Sequence, residues 1–130
     1  MSQVIIHANS NGGVSVTVPT GELDIKAVQA KDTPAGSIIV DSASLPQGAD
    51  AQFFDAWELS GSTVTVNFAK AQAIKLAQYN AAAIAEAQKR QLNDLAGIQN
   101  TTSDADFTAK LQADRAAIAA ATTTAQLVAI

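Results

Sequence analysis

The longest stretch of the sequence without glycine or proline, residues 68–96, constrains the fold most. It is rich in alanine, glutamine, lysine and leucine, which all favour helix over other conformations. We predict one helix of about 28 residues here, about 42 Å long at 1.5 Å per residue. Gly97 follows directly and predicts the end of the helix, because glycine readily adopts the left-handed conformation common at that position.

A second helix is predicted from about residue 104 to residue 121, after a polar loop at residues 100–104. Ser103 with Asp106 three residues later resembles a capping box. Thr122–Thr124 then caps a last short helical turn over residues 125–130. The two long helices are expected to form an antiparallel hairpin, with a candidate seam of Ala77, Ala81, Ile84, Leu92 and Leu95 against Phe107, Leu111 and Ile118.

The predicted hairpin is poor in large apolar side chains. The chain has 28 alanines, and each buries little area. A two-helix hairpin of this composition should be marginal alone, so it needs further surface from the rest of its own chain or from other chains. This shortfall predicts a homo-oligomer or a multi-copy assembly. The apolar C-terminal residues are candidate interface residues: Leu127, Val128 and Ile130.

The first half of the chain predicts short strands instead. Alternating valines in Val14–Pro19 indicate a half-buried strand, paired through the Asn- and Gly-rich turn at residues 9–13 with Val4–Ala8. A short helix over Asp24–Lys31 and a strand over Ser37–Asp41 follow, and then a hairpin of residues 56–59 and 63–67. The fold class is therefore α+β, with a β-rich domain at residues 1–67 and a helical hairpin at residues 68–130.

Half of the six aromatic residues fall in one octet, QFFDAWEL, at residues 52–59. Trp57 and Leu59 alternate along a predicted strand, so both should face the core of the β-rich half, over the Ile25 and Val28 face of the short helix. Phe53 and Phe54 follow a polar loop. Phe53 is predicted either to cover the core or, like Phe54, to anchor a protein interface, where aromatic residues are enriched.

Charge and composition exclude several classes of function. The net charge is −4, with no basic stripe, which argues against a nucleic-acid partner. No apolar run reaches the length of about 18 residues that a membrane span needs. The N-terminus lacks the pattern of a signal peptide. With no cysteine, the chain has no disulfide and no thiolate metal site.

Few residues suggest chemistry. His7 is the single histidine and lies within a predicted strand, so a structural role is favoured over a catalytic base or a metal ligand. Asp50, Asp55 and Glu58 cluster near the aromatic residues, but isolated surface carboxylates are far more common than glycosidase pairs. Lys89–Arg90 is interpreted as a solvated pair, with Glu86 placed to pair with Arg90. We predict no catalytic residue, no metal, no cofactor and no enzyme activity.

Several short motifs occur in a recognisable order along the chain. They are NGGVSVTVPTGEL, AKDTPAG followed by IIVD and LP, FFDAWEL, VTVNFAKAQAI, and the C-terminal pattern from Thr123 to Ile130. In this order they resemble a group of small proteins encoded among the tail and late structural genes of tailed bacteriophages. The stretch D-R-T-F of that group is Asp50–Phe53 here, so its arginine is replaced by alanine.

This resemblance implies a structural role. It implies a bacteriophage virion protein, most simply tail-associated, that is made in the host cytoplasm, resides in the virion and docks onto other phage structural proteins. A tail or tail-fibre assembly chaperone and a capsid decoration protein are the alternatives. No catalytic motif accompanies the resemblance.

Overall fold

A computed structural model describes residues 2–130 of the chain and confirms the predicted α+β class. The chain divides into two compact units, Met1–Ala71 and Gln72–Ile130. The sequence analysis placed the boundary after residue 67. Within the described residues, the first unit holds five strands, one short α-helix and two 3₁₀ segments, and three helices account for most of the second unit.

The first hairpin forms as predicted. Strands β1 (Gln3–Ala8) and β2 (Val14–Thr17) pair antiparallel, with Ile6 opposite Val16. In the connecting turn, the side-chain Oδ1 of Asn9 accepts hydrogen bonds from the backbone N–H groups of residues 11 and 13, each at 3.0 Å. Gly12 has a φ of +80°, which most residues avoid. The turn therefore depends on both Asn9 and Gly12.

A third strand completes the larger sheet. Strand β3 (Ile38–Asp41) pairs antiparallel with β1 on the side away from β2, giving the order β2-β1-β3. Helix α1 (Ile25–Asp32) precedes it in sequence and packs beside β1, with Val28 buried. Thr33 and the following proline end α1, because proline cannot continue a helix.

The second sheet is the predicted hairpin of β4 (Trp57–Ser60) and β5 (Thr63–Val66), joined by a two-residue turn. A seven-residue 3₁₀ segment, Asp50–Ala56, precedes β4 and was not predicted. The aromatic octet therefore begins in a 3₁₀ helix and ends in a strand. Phe53 carries the kink in that segment, with a φ of −111° and a ψ of 49°.

The core of the first unit lies between the two sheets. Its buried members come from β1, β2, β4 and β5, with further half-buried side chains packed around them; the buried set is Val4, Ile6, Val14, Trp57 and Val64. Trp57 is thus a core residue, and Leu59 packs against the same cluster, as predicted. The predicted packing of Trp57 over the Ile25 and Val28 face of α1 is wrong, because this cluster includes neither residue.

The long helix begins and ends at the predicted residues. Helix α2 spans Phe68–Ala96, 29 residues. The side chain of Asn67 accepts a hydrogen bond from the backbone N–H of Lys70, which satisfies one of the unpaired donors of the first turn. At the other end, Gly97 has a φ of +74°, and the backbone N–H of Ile98 donates to the carbonyl of Asn93 at 2.8 Å. This is a Schellman ending.

The last two helices are capped by hydroxyl side chains. Helix α3 spans Asp104–Ala120, and Ser103 accepts from the backbone N–H of Asp106. Helix α4 spans Thr124–Val128 and has a reciprocal capping box between Thr123 and Gln126. Both caps lie where the sequence predicts them.

Helices α2 and α3 form an antiparallel hairpin joined by polar contacts at three levels. Near its base the side chain of Gln72 donates to the carbonyl of Ile118 at 2.7 Å. Halfway along, Tyr79 donates to Asp114 at 2.6 Å. Near the connecting loop, Arg90 donates to Asp104 at 2.8 Å. These pairs fix both the direction and the register of the hairpin.

The predicted α2 side of the seam is wrong. Ile84, Leu92 and Leu95 are 59%, 66% and 80% exposed, and Ala77 and Ala81 are exposed too. The predicted α3 side is borne out better, since Ile118 is buried and Phe107 and Leu111 are half-buried. Alanine surrounds α2 on all sides, so apolar periodicity does not single out one face. The polar atoms of Gln72, Tyr79 and Arg90 decide which face meets α3.

Candidate docking surfaces

The most exposed large apolar residues described on α2, Ile84, Leu92 and Leu95, lie on the face that was predicted to be buried. We call Ala77, Ala81, Ile84, Leu92 and Leu95 the outer face of α2. At 100° per residue these five positions fall within about 80° of one another around the helix axis. Gln72, Tyr79 and Arg90, which contact α3, lie on the opposite side. The outer face is therefore the side of α2 that α3 leaves uncovered.

This outer face carries no charge. The charged residues of α2 within the second unit lie about 100° or more from its centre line at 100° per residue; they are Lys75, Glu86, Lys89, Arg90 and Asp94. Leu92 and Leu95 lead on to Ile98, which is 57% exposed just beyond the helix end. Contiguous exposed apolar side chains of this kind mark interaction sites more often than chance exposure does.

The C-terminal interface candidates behave differently from one another. Leu127 is fully buried in the chain, so its assignment as an exposed contact is wrong. Helix α4 buries Leu127, whereas its other apolar residues, Ala125 and Val128, are exposed. Val128 is 36% exposed and Ile130 is half-buried. The carbonyl oxygen of Ile130 accepts a hydrogen bond from Nζ of Lys75 at 3.2 Å.

The aromatic candidates also divide. Phe53 is only 3% exposed, so its role as a surface anchor is wrong and its alternative as a core residue holds. The kinked 3₁₀ segment explains this, because it turns Phe53 inward and leaves the next residue outside. Phe54 is 43% exposed, and its ring centroid lies 4.8 Å from that of Trp57. Phe54 also lines a shallow cavity of about 220 Å³ with Asn9 and Asp55.

Glu58 is held by the start of the long helix. Lys70 Nζ lies 3.0 Å from one carboxylate oxygen and the amide of Asn67 donates to the other at 3.2 Å. Hydrogen bonds from Lys70 and then from Asn67 hold the pKa of the Glu58 carboxyl below its usual range. A general acid in glycoside hydrolysis needs a raised pKa, so this arrangement suits an ion pair better than acid catalysis.

Tyr79, Asp114 and Lys110 form a second polar cluster, on the hairpin. Asp114 accepts from the Tyr79 hydroxyl at 2.6 Å and from Lys110 Nζ at 2.8 Å on the same oxygen. Burial, and then the hydrogen bond to Asp114, raise the pKa of Tyr79 to about 12. The hydrogen bonds from Lys110 and then from Tyr79 lower the pKa of Asp114. All three side chains line an open cleft of about 460 Å³, whose apolar wall includes Phe107 and Leu111.

Arg90 is a buried cation, contrary to its interpretation as part of a solvated pair. It is 5% exposed, and its guanidinium donates to the hydroxyl and the carbonyl of Thr102 at 2.9 and 2.8 Å. The same group reaches Asp104 at 2.8 Å and lies 4.9 Å from the centre of the Phe107 ring. Arg90 therefore pairs across the hairpin rather than with Glu86.

The sequence analysis did not predict that Arg90 pairs with Asp104, although the residue numbers of the two helices contain the information. In an antiparallel hairpin, facing residues have position numbers with a nearly constant sum. Tyr79 with Asp114 gives 193 and Arg90 with Asp104 gives 194, whereas Gln72 with Ile118 gives 190. A search for polar or oppositely charged residues whose sums nearly agree would have found the first two pairs and the correct face of α2.

Two kinds of site are not formed by the described part of the chain. Among residues 2–130, no group of three or more histidine, aspartate or glutamate side chains is placed to hold a metal ion. Across the same residues, no helix is both long enough and apolar enough to cross a membrane. Comparisons with family models, with curated proteins and with solved structures found no match to the chain.

Proposed function

We propose that this protein is a structural component of a bacteriophage virion, associated with the tail, that acts by docking onto other structural chains. The observation that carries the proposal is the uncharged outer face of α2, where Ile84, Leu92 and Leu95 are more than half exposed. Apolar side chains of this size gain free energy when another chain covers them. The order of the sequence motifs supports the phage origin, since it resembles that of small tail-gene products.

The proposed mechanism is burial of complementary surface rather than chemistry. Glu58 supports this view, because its carboxylate is engaged by Lys70 and Asn67. Alanine variants at His7, Asp55 and Glu58 test it. Loss of a chemical activity in one of these variants, with the far-UV circular dichroism spectrum unchanged, would overturn the docking mechanism.

The location of the chain tests the proposed function directly. Particles purified through a density gradient are probed for the chain by mass spectrometry, and antibody-gold labelling locates it by electron microscopy. The proposal expects the chain in mature particles, on the tail. Labelling on the head would indicate a capsid decoration protein instead. Absence from mature particles, together with binding to structural proteins before assembly, would indicate an assembly chaperone.

A matched pair of variants links the outer face to incorporation. Leu92→Glu with Leu95→Glu places two charges on the face and should reduce the amount of chain in particles. Lys89→Glu changes the net charge by the same amount, −2, on an exposed position off the face, and should be incorporated normally. Equal incorporation of both variants would mean that docking does not use the outer face.

A further inference from the structure

Phe54 is the one exposed aromatic side chain among residues 2–130, at 43%. Its ring is held in place by Trp57, with 4.8 Å between the ring centroids and an angle of 57° between the ring planes. Trp57 is fixed in turn, because it is buried and its Nε1 donates to the carbonyl of Asp50 at 3.0 Å. Phe54 therefore presents an aromatic surface in a defined position, which is favourable for binding because little freedom is lost.

A shallow cavity of about 220 Å³ adjoins Phe54 within the first unit. The turn after β1 forms one wall, and its backbone is held by the two hydrogen bonds to Asn9 Oδ1. A Cβ at Gly13 would lie only 3.3 Å from Nδ2 of Asn9, so glycine preserves the shape of this wall. The volume is below the range of about 300–1,000 Å³ typical of drug-sized ligands, so the cavity suits a single side chain. Its lining residues are Asn9, Asn11, Gly13, Val14, Phe54 and Asp55.

The cavity carries one negative charge that no base offsets. Within residues 2–130, the carboxylate of Asp55 and the side-chain amide of Asn11 have no hydrogen bond or ion pair. No basic residue lines the cavity. Lys70 comes near the same turn, since its Nζ would lie 3.8 Å from a Cβ at Gly12, but it is already paired with Glu58 at 3.0 Å. Any charged group that the cavity accepts must therefore be a cation.

We propose that this cavity binds an arginine side chain of a partner protein, with the guanidinium group between the Phe54 ring and the Asp55 carboxylate. A guanidinium offers planar paired donors that match a carboxylate, and it also stacks on aromatic rings. The amide oxygen of Asn11 accepts a further N–H group. This inference rests on the docking role proposed above and gives the chemistry of one contact that the partner makes.

The distribution of charge along the chain favours the same partner. Residues 1–71 contain seven acidic and three basic residues, a net charge of −4, whereas residues 72–130 contain five of each. The whole excess of negative charge thus belongs to the unit that holds the cavity. Such a surface attracts basic segments and repels anions. A lysine ammonium fits less well, because it cannot form the two-point pair with the carboxylate.

Titration of the ¹⁵N-labelled full-length chain with the peptide acetyl-Gly-Arg-Gly-amide, followed by NMR, tests the site. The chemical shifts that change should be concentrated at residues 9–14 and 54–55. The Kd should be about 1–50 mM, because an exposed ion pair and a single cation–π contact are each weak. Added salt should weaken the binding.

Three control probes accompany this titration: the same peptide with leucine or with lysine in place of arginine, and methyl glucoside. The proposal expects smaller shifts from each of them. Equal shifts from the leucine peptide or from methyl glucoside would overturn a cation site, and equal affinity for the lysine peptide would overturn the assignment to guanidinium. An arginine peptide that shifts none of the cavity residues at about 100 mM would overturn the site itself.

A matched pair of variants tests the role of the charge. Asp55→Asn keeps the shape of the side chain and should raise the Kd by about two- to fivefold. Glu22→Gln makes the same change of charge at an exposed residue outside the cavity and should leave the Kd unchanged. Phe54→Leu should also raise the Kd by about two- to fivefold, through loss of the ring. Dispersed NMR spectra check that each variant is folded.

The outcomes separate the cavity from the proposed function. Equal binding by Asp55→Asn and the parent chain would overturn the arginine site, and normal incorporation into particles would then still support the virion role. Absence of the chain from mature particles would overturn the virion role, and arginine binding that depends on Asp55 and Phe54 would then still support the site.

Discussion

Single side chains set the two best-defined environments in this molecule, one in each unit. The chain has one tryptophan and one tyrosine. Trp57 is buried between the sheets, with its Nε1 donating to the carbonyl of Asp50 at 3.0 Å. Tyr79 lies on the helical hairpin, with its hydroxyl on Asp114. Each unit therefore carries its own optical probe, and each probe reports on a specific contact.

Removal of Trp57 should destabilise the protein strongly. Trp57→Ala removes a 6% exposed side chain from the core and should lower the free energy of unfolding by about 3–5 kcal/mol. Urea unfolding followed by far-UV circular dichroism measures this, since the variant lacks the tryptophan whose fluorescence would otherwise report on the first unit. Val18→Ala, at a 71% exposed position, serves as the control and should change stability by less than about 0.5 kcal/mol. A loss below about 1 kcal/mol for Trp57→Ala would contradict its position in the core.

The pKa of Tyr79 can be measured directly. Absorbance at the tyrosinate band follows Tyr79 alone and should give a pKa of about 12. Because this pKa is raised, the contribution to stability is complete below about pH 10, the ordinary value, and is lost as the pH rises through about 12. Asp114→Asn should lower the pKa but leave part of the shift, since burial is its largest cause. An unchanged pKa in that variant would show that the hydrogen bond contributes nothing.

Whole elements of this chain depend on capping groups and on the contacts that join α2 to α3. The ends of α2, α3 and α4 lie at Asn67, Gly97, Ser103 and Thr123, which are side chains and backbone conformations typical of helix ends. These helix ends do not determine which helix each one packs against. That pairing depends on polar groups that must be satisfied once they are buried.

Arg90 should be central to the stability of the hairpin, whereas its neighbour should not. Arg90→Ala removes three hydrogen bonds and the contact with Phe107 and should lower the free energy of unfolding by about 2–3 kcal/mol. Lys89→Ala changes the adjacent exposed base and should alter it by less than about 0.5 kcal/mol. Chemical unfolding curves of both variants provide the test. Equal effects would mean that Arg90 acts only as a surface charge.

The sequence predicts the elements of this fold much better than their partners. The strands, the turn at Asn9 and the ends of α2 follow from local chemistry, which is written in a few adjacent residues. The α2 face toward α3 does not, because alanine is spread around the helix and Ile84, Leu92 and Leu95 suggest a seam that tertiary contacts do not form. Leu127 was misassigned and Phe53 was left between two alternatives for a related reason. The exposure of an apolar residue beside a loop depends on backbone turns that periodicity does not show.

At the scale of the whole molecule, acid should weaken both units. Glu58 in the first unit and Asp114 in the second have lowered pKa values. Each therefore contributes stability that is present above its ordinary pKa, 4.5 or 3.8, and is lost as the pH falls through the folded value. The free energy of unfolding should decrease from about pH 5 downward. Both groups are partly exposed, so the decrease should be gradual.

A double variant isolates this acid effect. Glu58→Gln with Asp114→Asn should be less stable than the parent near neutral pH and should lose less stability on acidification. Glu22→Gln, in an exposed loop, should follow the parent curve. Urea unfolding at a series of pH values gives the comparison. Parallel curves for the double variant and the parent would show that these two carboxylates do not determine the acid response.

The three polar levels between α2 and α3 have a mechanical consequence. Two smooth alanine surfaces could slide past each other by one helical turn, about 5.4 Å, and find an equivalent fit. Gln72, Tyr79 and Arg90 prevent this, because each would lose its partner at the same time. We therefore expect α2 and α3 to keep their register when a force acts along the hairpin. A displacement applied at the loop around Gly97 is carried to the base of the helices without slip.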